Sequence, residues 1–88
     1  MTFNNLNFHT HKSGNGIYAH YKFPNGYGIS VIRSFYSYSN ENTYEVAIIH
    51  DGDITYSTPL TNDVLSYQTP EDINKLLDII EQWSPNQY

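Results

Sequence analysis

The chain has 88 residues with 9 acidic side chains against 4 Lys plus Arg, a formal net charge of −5, and no cysteine. That length makes one domain, residues 1–88, burying roughly 64% of the extended chain's surface on folding. The acidic balance argues against direct nucleic-acid binding and a polybasic membrane patch, while the lack of cysteine excludes a disulfide framework, a thiolate zinc site and a catalytic thiol.

The first stretch, residues 1–15, is polar, with Phe3, Leu6 and Phe8 as its apolar points. Phe3 and Leu6 fit a helical turn, whereas Leu6 and Phe8 fit a strand. Ser13-Gly14-Asn15-Gly16 breaks the chain, because Gly and Asn tolerate positive φ. A loosely docked arm is expected, with an edge strand as its most ordered form.

Residues 16–60 predict a β-meander. Ile17, Ala19, Tyr21 and Phe23 alternate with Tyr18, His20 and Lys22, giving a strand with aromatic character on both faces. Pro24-Asn25-Gly26 supplies a turn, Asn25-Gly26 suiting the type I′ geometry of tight hairpins. On the next strand, about Tyr27 to Tyr36, Tyr27, Ile29, Val31, Arg33 and Phe35 share a face opposite Gly28, Ser30, Ile32 and Ser34. Ser37 to Asn42 reads as a polar loop. Thr43 to His50 carries Tyr44, Val46 and Ile48 against Glu45, Ala47 and Ile49, apolar on both sides toward its end, as in a central strand. Asp51-Gly52 signals a second hairpin, leading to Ile54, Tyr56 and Thr58 on a fourth strand that Pro59 ends.

Residues 69–83 predict a helix. Thr69 can accept a bond from a free amide at its start, Pro70 fits the first helical position, and Glu71 and Asp72 suit the positive end of the helix dipole. Ile73, Leu76, Leu77, Ile80 and Trp83 make one apolar stripe, and Ser84-Pro85 stops the helix. So short a helix does not persist alone in water, so it must dock on the sheet. The expected fold is α+β: an antiparallel three- to four-stranded β-meander covered by one C-terminal α-helix. Which face the helix covers stays open. No apolar run approaches the roughly 18 residues of a membrane span, and the N-terminus lacks the apolar core of a signal peptide. A soluble protein of the cytoplasm is expected.

Signals for chemistry are sparse. His9 and His11 would project from one face of a strand and could bind zinc with His20 or His50, but no compact third ligand fixes that geometry. Solvated histidines, and no metal, are the expectation. Asp51-Gly52-Asp53 opens like a calcium loop but lacks the distal glutamate, so a hairpin turn is the better reading. There is no Gly-x-Ser-x-Gly elbow and no glycine loop opening a helix over a phosphate, so neither an enzyme nor a cofactor is expected.

The 9 tyrosines are the distinctive feature. One helix covers one sheet face, so some rings must lie on the other face or at the edges. Tyr there gives binding area at low entropic cost, or simply builds stable cross-strand pairs. Arg33, the single arginine, falls on an apolar-facing register, where it pairs structurally or anchors an anionic ligand. Asp51, Asp53 and Asp63 fall in expected loops, and Asp78 and Glu81 on the outer helix face. Spaced carboxylates of this kind can occupy a partner's basic groove.

Three segments, Tyr27-Gly28-Ile29-Ser30-Val31-Ile32-Arg33, Tyr44-Glu45-Val46-Ala47-Ile48-Ile49 and Thr58-Pro59-Leu60-Thr61-Asn62-Asp63-Val64-Leu65, resemble a pattern in small acidic phage and prophage proteins. The resemblance spans about Gly26 to Trp83 and brings no catalytic residues with it. It implies an accessory factor, a class that includes inhibitors of host CRISPR and other defence systems.

The leading expectation is therefore a non-enzymatic phage-type binding protein, active in the host cytoplasm. It would inhibit a host protein, such as an anti-CRISPR factor blocking a nucleic-acid-binding defence complex, by protein–protein contact. The candidate binding residues are Tyr36, Tyr38 and Glu41 around the third loop and Asp51 and Asp53 at the hairpin tip, because loops on a rigid sheet concentrate binding side chains. One alternative is a nucleotide-binding or sequestering module using Arg33 and tyrosine stacking. Another is an assembly protein forming a homodimer or larger homo-oligomer through an open sheet edge.

Overall fold

The computed structural model describes residues 1–10, 12, 14, 16–34, 43–60 and 64–88. Its architecture is α+β, an antiparallel sheet with one C-terminal helix. In chain order the elements are a 3₁₀ turn at Phe3–Asn5, β1 (His9–Thr10), β2 (Gly16–Lys22), β3 (Tyr27–Ser34), β4 (Tyr44–His50), β5 (Asp53–Ile54), β6 (Leu65–Gln68) and α1 (Pro70–Glu81). β1 to β5 lie side by side in sequence order, and β6 shares the outer edge of β4 with β5. The meander thus has two short additions, β1 at one edge and β6 at the other.

The two glycine turns differ. At Asp51-Gly52 both residues have positive φ, 52° and 92°, and His50 faces Asp53, which is the two-residue hairpin the sequence predicts. At the first turn only Gly26 has positive φ, 88°. Phe23 N–H donates to Tyr27 O (2.8 Å) and Gly26 N–H to Phe23 O (3.0 Å), so three residues, Pro24, Asn25 and Gly26, make the connection. Asn25 is not left-handed there because its side chain is engaged. Its Oδ1 accepts from Tyr27 N–H (2.9 Å), and its Nδ2 donates to the carbonyls of Ile80 and Trp83 (both 2.9 Å), closing the end of α1.

The fourth strand is shorter than expected. Asp53 and Ile54 alone pair with β4, although Thr55 N–H continues to Ile48 O (2.9 Å). Lower on β4, the edge passes to β6, with Tyr44 opposite Gln68 and Val46 opposite Leu65 across a bulge. Tyr67, at φ 58°, takes up that irregularity.

The helix begins as its sequence dictates. Thr69 Oγ1 accepts from Asp72 N–H (3.1 Å) while Asp72 Oδ2 accepts from Thr69 N–H (3.0 Å), a reciprocal cap behind Pro70. Its regular turns end at Glu81, and Trp83 packs from the turn beyond. Ile73, Leu76, Leu77 and Ile80 are buried against Ala19, Tyr27, Ile29, Val31, Tyr44, Val46 and Ile48. The helix therefore covers the sheet face that carries the odd-numbered residues of β2 and β3 and the even-numbered ones of β4.

The N-terminal arm, expected to dock loosely, carries Leu6 into the core. Phe3 and Phe8 pack on the Tyr44 ring at 5.2 and 5.6 Å, and Phe3 N–H donates to Asn74 Oδ1 of α1 (2.6 Å). Three apolar residues in a polar stretch suffice to fasten it. Accessible area is 5561 Å². Among the described residues no helix is long and apolar enough to cross a membrane.

Candidate functional site

Cross-strand register sets what the other side of the sheet presents. Tyr18 pairs with Ile32 and Ile32 with Glu45; His20 pairs with Ser30 and Ser30 with Ala47; Lys22 pairs with Gly28, Gly28 with Ile49 and Ile49 with Ile54. Paired residues share a face, so these rows lie side by side opposite α1. The middle of this open face is small: Ser30 and Ala47 are each only 8% exposed. Around that floor stand larger side chains, with Ile32 39% and Ile54 52% exposed.

At the β1 end lies a shallow depression of about 340 Å³, lined by Lys12, Tyr18, His20 and Ile32. His9 faces Tyr18 across the strands, and the His9, Tyr18 and His20 rings follow one another at 5.7 and 5.5 Å. On this face position 28 is glycine because β2 runs too close for anything larger; a Cβ there would collide with the Tyr21 carbonyl.

Charge is divided between the two sides. The open face has Lys12, Lys22, His9 and His20, with Glu45 the acid in its rows. Glu71, Asp72, Asp78 and Glu81 are on α1 with a single cation, Lys75, and Asp51 and Asp53 are at the β4–β5 turn. Arg33 lies on the helix side, its guanidinium carbon 5.6 Å from the centre of the Tyr44 ring, half-buried. That position sets it against the Tyr44 ring, on the opposite face from Glu45.

Of the residues singled out by sequence, Tyr36, Tyr38 and Glu41 lie outside the described residues, as do Asp63 and His11. Asp51 and Asp53 are exposed. Asp51 N–H donates to Gly26 O (3.0 Å) and its carboxylate is 3.5 Å from His50 Nε2, so the tip is braced on the first turn. His50 itself stacks on Tyr27 at 4.2 Å with the planes 10° apart, and its Nε2 lies 3.2 Å from Asn86 Oδ1. His50 and the pair His9 and His20 thus stand on opposite faces. Among the described residues no three His or carboxylate side chains converge on one point.

The open-face residues are those that sequence reasoning did not select. The signal was present in the alternation of Tyr18, His20 and Lys22, but assigning a face needs the register of β2 on β3. A two-residue turn at Asn25-Gly26 would have put Tyr18 opposite Arg33, on the helix side. The three-residue turn shifts the pairing by one and turns these side chains outward.

Asp72 is the described group whose titration is clearly moved. The bond from the Thr69 amide and then the Thr69 hydroxyl hold its carboxyl below the usual aspartate range against desolvation, with the Lys75 charge adding the least. It serves the helix start and takes no part in the open face. Comparison with protein-family models, with curated proteins and with solved structures yields no match to this chain.

Proposed function

We propose that this chain is a non-enzymatic binding protein that acts by protein–protein contact through the open face of its sheet. The observation that carries this reading is the shape of that face: exposed Ile32 and Ile54 stand over a buried floor of Ser30 and Ala47. Such a patch costs solubility when left to water, and a rigid sheet presents it without ordering cost on binding. Asp51 and Asp53 sit at the hairpin tip beside His50, with Asp53 on the opposite face from Ile54, so they join the contact only around the β5 edge. The resemblance to small acidic phage proteins gives the partner class, a host protein such as a CRISPR-Cas or other defence complex, inhibited by occupation of its working surface.

The test is capture of one host protein in fixed stoichiometry by the tagged chain, repeated with Ile32→Asp and with the Asp51→Ala, Asp53→Ala double variant. Ile32→Asp should abolish capture while the circular dichroism spectrum is unchanged. The double variant should weaken it and reduce its salt sensitivity. Undiminished capture by a folded Ile32→Asp variant would place the contact elsewhere.

A further inference from the structure

The outer edge of β2 is only partly used. β1 pairs with Ile17 and Tyr18, and among the described residues no strand continues that pairing along Ala19–Lys22. An uncovered strand edge offers a row of backbone donors and acceptors ready for another strand. Over the same residues the side chains alternate. His20 and Lys22 point to the open face and are exposed, whereas Ala19 and Tyr21 point to the helix side. At about 3.3 Å per residue, a strand added there sets its alternate side chains beside His20 and Lys22 at matching spacing.

We infer that Ala19–Lys22 takes up an extended acidic segment of a protein partner as an added strand in line with β1, with its carboxylates beside His20 and Lys22. This rests on the open-face reading and specifies the chemistry of what binds there. Charge complementarity selects the occupant. Along this edge the described charges are Lys12 and Lys22, with His9 and His20 between them, in a chain whose net charge is −5. Glu45, the acid of the open face, lies two strands away on β4. A carboxylate on the added strand opposite Lys22 makes a favourable cross-strand pair, while a lysine there makes a repulsive one. Nucleic acid fits less well. Two lysines neutralise too few phosphates to overcome the repulsion of the whole chain for a polyanion. A peptide also gains main-chain bonds along the edge, which phosphates cannot reproduce in strand register.

The probe is a blocked synthetic peptide alternating glutamate with valine, long enough to pair with all of Ala19–Lys22, titrated into the ¹⁵N-labelled protein. Amide shifts should appear along Ala19–Lys22 and the adjoining β1, and N-methylation of the edge-facing peptide amides should abolish them. Lys22→Glu should weaken the acidic peptide by about fivefold and strengthen its lysine–valine counterpart, the change expected on reversing one exposed charge pair. Both lysine and imidazole are exposed, so the variant should keep the parent spectrum. Equal binding of the two peptides, shifts confined to another edge, or an oligothymidylate displacing the acidic peptide would overturn the inference. So would no binding at all, which would leave Lys22 as an edge lysine that only discourages pairing between copies. If the peptide fails while Ile32→Asp still abolishes partner capture, strand addition falls and the open-face reading stands. If Ile32→Asp also has no effect, both fall.

Discussion

The two faces of this sheet are built from the same strands and differ in what a larger or smaller side chain would cost. On the helix side, Ile29, Val31 and Val46 are wholly buried beneath Ile73, Leu77 and Ile80, so volume there is fixed by atoms on both sides. On the open side, β3 and β4 carry Gly28, Ser30, Ile32, Ala47 and Ile49, apolar or small, and among the described residues no helix or second sheet packs over them. An apolar residue therefore has a different meaning on each face: in one it holds the fold, in the other it is surface offered for contact. The contrast can be measured directly. Leu77→Ala should lower stability by about 3 kcal/mol, with the cavity as well as the lost burial contributing, and drop Tm by more than about 10 °C. Ile32→Ala, of similar chemistry on the other face, should change stability by no more than about 0.5 kcal/mol. Comparable losses in the two variants would mean that something covers the open face already.

Gly28 is the place where the open face resembles the core in its intolerance. The limit there is backbone, since a Cβ would run into the Tyr21 carbonyl and close on Lys22 Cα. Gly28→Ala should cost about 2 kcal/mol, the range of an overpacked site that must move the main chain. It should also alter the β2–β3 amide signals by NMR. A neutral Gly28→Ala would show that β2 can withdraw from β3, and with it that the depression near Tyr18 can change shape.

Asn25 links the two faces, because the turn it forms sets which side chains lie on each. Its amide bonds two carbonyls at the end of α1 and its oxygen bonds Tyr27 N–H. Asn25→Ala leaves these groups to find water in a half-buried place and should cost about 1–2 kcal/mol. Asn25→Asp keeps the acceptor for Tyr27 but loses both carbonyl contacts and adds a negative charge at the negative end of the helix dipole. It should be at least as damaging by chemical denaturation.

This residue also marks how far the sequence could be read. The strands β2, β3 and β4, the Asp51-Gly52 hairpin, the Thr69 cap and the apolar stripe of α1 were all legible, because each follows from a local period or a local bond. The meander and its helix cover follow from those. What was not legible depends on a contact far along the chain. Asn25-Gly26 has the same local signature as Asp51-Gly52, yet Asn25 is held by carbonyls more than fifty residues away, and the register changes by one. That single step decides whether Tyr18, His20 and Lys22 face helix or solvent. β6 escaped for a related reason: Leu65–Gln68 is a short strand whose place is set by the gap that β5 leaves along β4. The arm's edge strand is legible in its composition, whereas the contacts of Phe3 and Phe8 with Tyr44 and the burial of Leu6 form only in three dimensions.

The smallest effect concerns the helix start, which serves the covered face alone. Thr69→Ala should cost about 1 kcal/mol, the usual loss for a side-chain cap. Asp72 adds a pH dependence whose sign follows from its lowered titration. The folded state holds the carboxylate form better than the unfolded chain does. Its stabilising contribution is therefore fully present above the ordinary aspartate range and is lost as pH falls through the lower, folded value, because in that window the unfolded chain binds the proton first. Asp72→Asn keeps an oxygen for Thr69 N–H and removes the titration. The difference in stability between parent and variant should then be constant at neutral pH and shrink on acidification through that window, as followed by urea unfolding at a series of pH values. The open face should not register the change: partner affinity at neutral pH should be the same for parent and Asp72→Asn, since α1 lies on the other side of the sheet. A loss of affinity with this variant would join the two faces energetically and end the division of labour between them.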